Sequence, residues 1–120
     1  MICAEELFDL SHTLAAPLIR QYAHPWECLP FLKEFILSLG PTLPKELFEE
    51  RERHIWIAKD ARIAPFSSIA APCIIGRETE IRHGAFIRGS ALIGEKAVIG
   101  NSTEIKNAIL FDGVQASHFN

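Results

Sequence analysis

Residues Ile57–Leu110 read, in sixes, IAKDAR IAPFSS IAAPCI IGRETE IRHGAF IRGSAL IGEKAV IGNSTE IKNAIL. An isoleucine opens each unit, at positions 57, 63, 69, 75, 81, 87, 93, 99 and 105. The fifth position is small through Ala61, Ser67, Cys73, Thr79, Ala85, Ala91, Ala97 and Thr103, and only Ile109 departs. An amphipathic helix would repeat about every 3.6 residues and a half-buried strand about every 2. A six-residue period held this long is the signature of a hexapeptide solenoid. Each unit is one short strand plus a corner, and three units close one triangular coil. The isoleucines point into the prism, and the small residues sit where the corner leaves little room. Residues eighteen apart then stack from coil to coil, roughly 4.8 Å apart. The expected fold is an all-β solenoid.

Upstream of the repeat the periodicity changes. Leu7, Leu10, Leu14 and Leu18 place a helix over about Ala4 to Tyr22, with Pro17 able to kink or end it. His24-Pro25 marks a break. A second helix is expected to start between Glu27 and Pro30, with Leu29, Leu32, Phe35, Ile36 and Leu39 as its apolar face and Gly40-Pro41 as its stop. The charged run from Pro44 to Arg53 reads as a third, short helix serving as a solvated connector. A solenoid's first coil exposes an apolar end that a terminal element must cover, so residues 1–54 are expected to form an N-terminal helical cap. Contact with a neighbouring domain or subunit is the alternative. Trp26 and Trp56 read as core or cap packing. Residues 55–120 form the β-helix. It is expected to be truncated at its C-terminus, because a stop at Asn120 would leave the last coil uncovered.

Bulk composition narrows the function classes. At 120 residues, 48% hydrophobic and 22% charged, the chain is an ordinary globular sequence of one domain with a small appendage. A formal charge of -3 and a pI near 5.9 argue against nucleic-acid binding. No apolar run is long enough for a membrane span, and Met1-Ile2-Cys3-Ala4-Glu5-Glu6 lacks the basic start of a signal peptide. Cys3, Cys28 and Cys73 are odd in number and unpaired in spacing, with Cys73 in a small-residue slot. They read as reduced core residues of a cytoplasmic protein.

Chemistry enters at the position after each isoleucine. It reads Ala58, Ala64, Ala70, Gly76, Arg82, Arg88, Gly94, Gly100 and Lys106, then Asp112 and His118 in phase. Arg88 and Lys106 stack on one face, where two cations repel unless an anion lies between or in front of them. A phosphate suits the pair, since Arg offers a fork and Lys a point charge. The plainer alternative is that both side chains extend into water or pair with Glu80 or Glu104. His118, two coils below Arg82 with Gly100 between, is either a general base titrating near neutrality or a structural or exposed histidine.

The tandem Ile-Gly/Ala pattern resembles the left-handed parallel β-helix of the hexapeptide-repeat acyltransferases. The hand comes from that resemblance, since general crossover chirality would give the opposite one. From Ile87 onward the chain resembles the acetyltransferase domain of bifunctional N-acetylglucosamine-1-phosphate uridyltransferases. The match rests on Arg88, on Ile99-Gly100-Asn101 with Glu104-Ile105-Lys106, and on Gly113-Val114-Gln115-Ala116-Ser117-His118, in line without a gap. It covers about a third of the chain closely. The resemblance implies that Arg88 and Lys106 hold the phosphate of glucosamine 1-phosphate. It implies that His118 accepts the amine proton as the amine attacks acetyl-CoA. This sequence has Gln115 where the family has Lys, Ser117 where it has Gly, and Gly89-Ser90 where it has Pro-Gly. The family's further sugar ligands and acyl-CoA coils would lie beyond Asn120, so these residues alone are expected to be inactive. The uridyltransferase half's Gly-rich loop is absent from this sequence, and pyrophosphorylase chemistry is not expected.

The functional expectation is an acyl-CoA-dependent N-acyltransferase acting on an amino-sugar phosphate on the way to UDP-N-acetylglucosamine. Its catalytic residue is His118, its phosphate-binding residues are Arg88 and Lys106, its co-substrate is acetyl-CoA, and no metal is expected. The alternative is a non-catalytic β-helix for trimerisation or sugar-nucleotide binding. A γ-class carbonic anhydrase is less favoured, because His83 and His118 are the only histidines in the repeat and a zinc site of that kind needs more. Every reading expects a homotrimer, in which flat prism faces bury surface against one another.

Overall fold

The computed structural model describes residues 31–110 and 112–116. The expected helix from Ala4 to Tyr22, with Cys3, Trp26, Cys28 and His118, lies outside the described residues. Helix α1 covers Leu32–Leu39, and a 3-10 turn follows at Gly40–Thr42, where the Gly-Pro stop signal stands. Strands β1 (Phe48–Glu52) and β2 (Ile55–Ala58) form a hairpin. Then the repeat delivers β3 (Arg62–Ile63), β4 (Ser68–Ile69), β5 (Cys73–Ile75), β6 (Glu80–Ile81) and β7 (Phe86–Ile87). Strands β8 (Ala91–Ile93), β9 (Val98–Ile99), β10 (Glu104–Ile105), β11 (Ala108–Leu110) and β12 (Gln115–Ala116) complete it.

From β2 onward, successive strands do not pair with one another. Each pairs with the strand three further on, which makes three sheets: β1-β2-β5-β8-β11, β3-β6-β9-β12 and β4-β7-β10. We call these the first, second and third faces. All pairings from β2 onward are parallel, and the architecture is the left-handed parallel β-helix of hexapeptide repeats. Ile75, Ile81, Ile87, Ile93 and Ile99 are wholly buried in its interior. Such side chains gain about 2 kcal/mol each from leaving water. Thr79 is the polar exception whose bonds are visible: its hydroxyl donates to the Gly94 carbonyl at 2.7 Å and accepts from the Ala97 N–H at 3.1 Å. The corner residue has a positive φ in six of the first eight units, at Phe66, Glu78, Gly84, Ser90, Lys96 and Ser102.

The last coil is one residue short. Ile87 still pairs with Ile105, eighteen residues on, but Ile93 pairs with Leu110 and Ile99 with Ala116, each seventeen on. The left-handed corner moves with it, from Ser102 to Asn107 instead of residue 108. The ninth unit therefore has five residues. Leu110, not Phe111, fills the aliphatic slot, and Ala108 opposite Ala91 restores the small-residue rule that Ile109 seemed to break. The eighteen-residue rule that aligned His118 with Gly100 and Arg82 stops applying after Lys106.

The N-terminal region differs from expectation in one element. Phe48–Glu52 is a strand, not part of a helix, although Glu and Arg favour helices. Strand β2 opens the solenoid and would leave a row of unpaired backbone groups, which cost free energy when shielded from water. Strand β1 pairs antiparallel along that edge, with Phe48 buried and four charged residues exposed. Charged side chains on an edge strand deter further strands from adding. Helix α1 does other work: it lies against the outside of the first face, touching β8, while Gly40 abuts the ring of Trp56. Leu32 and Ile36 are fully buried, as are Ile74 and, within 1%, Leu92. Trp56 is only 5% exposed, in keeping with a packing role.

Candidate functional site

The parallel pairing of Ile87 with Ile105 brings Arg88 and Lys106 to adjacent coils at the edge of the third face. The Arg88 N–H donates to the Ile105 carbonyl at 2.7 Å, which fixes the two backbones against each other. Arg88 already has company. Its Nη1 lies 3.4 Å from Glu104 Oε2, and its guanidinium sits over the Phe86 ring, 5.5 Å from the centroid. A carboxylate beside two cations relieves their repulsion, so the tension inferred from sequence is partly discharged by Glu104. Both partners are about half exposed, and the ion pair is worth well under about 1 kcal/mol. Lys106 is exposed and has no ion pair among the described residues. The structure thus brings together two of the three expected site residues, while His118 lies outside the described residues.

A concavity lies one corner away, on the second face. It has a volume of about 550 Å³ and is lined by Arg82, Gly100, Asn101, Ser102, Gln115 and Ala116 among others. Its origin is the column Ala64–Arg82–Gly100: a long side chain stands directly over a residue that has none. The backbone holds this arrangement, with the Arg82 N–H on the Ile99 carbonyl at 2.9 Å and the Gly100 N–H on the Ala116 carbonyl at 2.7 Å. Arg82 Nε donates to Glu80 Oε2 at 3.3 Å, and Arg62 approaches the other oxygen of Glu80 at 3.8 Å. One carboxylate is therefore shared by two guanidinium groups. The signal for this groove was present in the sequence as the alternation of Arg82 and Gly100 in the after-isoleucine position. Asn101, Ser102 and Gln115 gave no signal, since surface turns are commonly polar.

Among the described residues, no three His, Cys, Asp or Glu side chains gather in a way that could hold a metal ion. No described helix is long and apolar enough to cross a membrane. The Cys73 thiol is fully buried between Ile55 and Ala91, and desolvation pushes its pKa up to about 12. It cannot serve as a nucleophile near neutral pH.

The repeat matches a known family. Residues 54–89 fit the profile described as bacterial transferase hexapeptide (six repeats), which spans the first two coils and ends just past Arg88. Over these residues the chain is similar to that family. Its relatives include the Bifunctional protein GlmU of Rubrobacter xylanophilus, 42% identical over 50 residues, and that of Nitrosospira multiformis, 39% identical over 66. These alignments take in 42% and 55% of this chain but only 11% and 14% of the relatives' own length. No solved structure matches the chain significantly. The hexapeptide-repeat assignment therefore rests on period, register and profile together.

Proposed function

We propose that this hexapeptide-repeat domain belongs to an acyl-CoA-dependent N-acetyltransferase whose acceptor is an amino-sugar phosphate of the glucosamine 1-phosphate type. The observation that carries the reading is the side-by-side placement of Arg88 and Lys106 on adjacent coils, the two positions on which the family resemblance rests. In the proposed reaction their charges hold the sugar's phosphate, Arg88 as a fork and Lys106 as a mobile point charge. Acetyl-CoA supplies an activated thioester. The sugar amine attacks its carbonyl carbon, a C–N bond forms, the C–S bond breaks, and the CoA thiolate leaves. His118 takes the proton that the amine sheds. Glu104 and Phe86 hold the Arg88 guanidinium in place, and the phosphate must compete with Glu104 for it. The protein acts as a cytoplasmic homotrimer, and its product feeds UDP-N-acetylglucosamine formation.

A non-catalytic binding or trimerisation module is the second reading. It is favoured by the Glu104 carboxylate that already occupies Arg88. The two are separated by assaying the full-length protein with glucosamine 1-phosphate and acetyl-CoA, following N-acetylated product by mass spectrometry. The transferase reading expects turnover, a loss of 100-fold or more in His118→Ala on the order of a general base's usual contribution, and a raised KM in Arg88→Ala and Lys106→Ala. Turnover unaffected by His118→Ala overturns the assigned base. Sugar-phosphate binding without turnover replaces the transferase with the module.

A further inference from the structure

We infer that the second-face groove is a separate binding site for a small phosphorylated sugar or polyol, anchored by Arg82 and independent of Arg88 and Lys106. The groove's volume of about 550 Å³ lies within the roughly 300–1,000 Å³ range of small-molecule sites. Its lining divides by chemistry. Val98, Gly100 and Ala116 give a low apolar floor that can meet the C–H face of a sugar ring. Asn101, Ser102 and Gln115 carry the carboxamides and hydroxyl that both donate to and accept from ring hydroxyls. Arg82 supplies the one formal charge among the described residues of the lining.

That charge is available to a ligand. Among the described residues, Arg82 engages a hydrogen-bond partner through Nε alone, Glu80 at 3.3 Å. Both Nη groups lack a hydrogen-bond partner among the described residues. The Glu80 carboxylate is also approached by Arg62 at 3.8 Å, so the cluster Arg62–Glu80–Arg82 keeps an uncompensated positive charge beside the groove. A phosphate is the anion that two free parallel Nη donors fit best. Gly100 lines the groove on the coil next to Arg82. The short last coil contributes as well, because its register sets Gln115 opposite Val98 at the groove's lower lip.

The test is a titration of the ¹⁵N-labelled protein with glucose 1-phosphate, reading the side-chain NH₂ resonances of Asn101 and Gln115, with glucose as the uncharged control. Both resonances are expected to move and saturate with glucose 1-phosphate, and to move far less with glucose. Arg82→Gln should weaken binding about tenfold or more, as for loss of one charge-assisted pair. Glu80→Gln, which removes a competing anion, should tighten it a few-fold, on the order expected for an exposed ion pair. Arg88→Gln should leave the saturation curve unchanged, which separates this site from the proposed catalytic one. Unmoved side-chain amides at ligand excess, wild-type affinity in Arg82→Gln, or loss of the response in Arg88→Gln would each overturn the assignment. Circular dichroism of each variant confirms that the half-exposed arginines were replaced without unfolding the coil.

Discussion

The first face of the prism and the other two present the same interior and opposite exteriors. Inside, all three carry the aliphatic and small residues of the repeat. Outside, the first face shows the column Trp56–Ile74–Leu92, all buried beneath α1 and the turn that follows it. The second shows Arg62–Glu80–Val98–Gln115, and the third Ser68–Phe86–Glu104. The difference lies in the sixth residue of each unit, the one preceding the isoleucine. Positions one and five build the coil, whereas position six decides what the coil can touch. A face covered by its own helix is committed to stability; the two left open carry Arg62, Arg82, Arg88, Lys106, the exposed Phe86 and the groove.

Four measurements would break or sharpen that contrast. The largest effect is expected at Leu92. Leu92→Ala should cost about 2–5 kcal/mol in a denaturation experiment, because it empties a site packed from both sides. Val98→Ala, in the outward column of the second face and only half-buried, should cost under about 1 kcal/mol. Equal losses at the two positions would remove the distinction between faces.

Next comes Cys73, enclosed within the doubly covered face. With its thiol raised from 9.0 to about 12, alkylation in the native state should be slower than in the unfolded chain by about two to three orders of magnitude at pH 9. The sign of the linked stability follows from the folded chain holding this proton longer. The contribution is complete below the unfolded value of 9.0 and is lost as pH rises from there toward 12. Rapid native-state labelling would show that the coil around Cys73 opens readily.

A smaller effect, and of opposite sign, is expected at Phe66. It is 84% exposed and has a φ of 62°, a conformation that costs a bulky side chain roughly 1 kcal/mol or more. Its ring contacts His83 at 5.5 Å between centroids, which returns part of that cost. Phe66→Gly should therefore stabilise the fold by up to about 1 kcal/mol. A loss of stability would mean that the aromatic pair outweighs the strain. The smallest effect belongs to Arg62→Ala, whose 3.8 Å ion pair on the open second face should change stability by no more than about 0.5 kcal/mol.

Much of this arrangement was legible in the residues. The isoleucine period announces the coil, the eighteen-residue spacing puts Arg88 beside Lys106, and the Gly40-Pro41 stop ends α1. Other features were hidden for physical reasons. Leu110 and Phe111 are both apolar, so a five-residue unit leaves the hydrophobic pattern apparently intact. The run Phe48–Glu52 reads as helix because its propensities are helical, but an unpaired strand edge nearby outweighs propensity. The alternation of Arg82 and Gly100 was visible, but the groove that they line with Asn101, Ser102 and Gln115 takes shape only when the coils stack. Glu104 was visible as a possible partner of Arg88; its pairing there could be settled only in three dimensions.

The five-residue unit between Ile105 and Leu110 also bears on how such a chain can change over evolutionary time. A solenoid resembles a text read in fixed words, and losing one letter should garble everything downstream. Here the loss falls at a corner, where Asn107 adopts the left-handed turn and hands the chain to β11 in correct alignment. Insertions and deletions confined to corners are thus absorbed locally, while the same change inside a strand would turn the aliphatic column outward. The corners are where this architecture can gain or lose residues, and lengthening them is the open route to new loops beside the two uncovered faces.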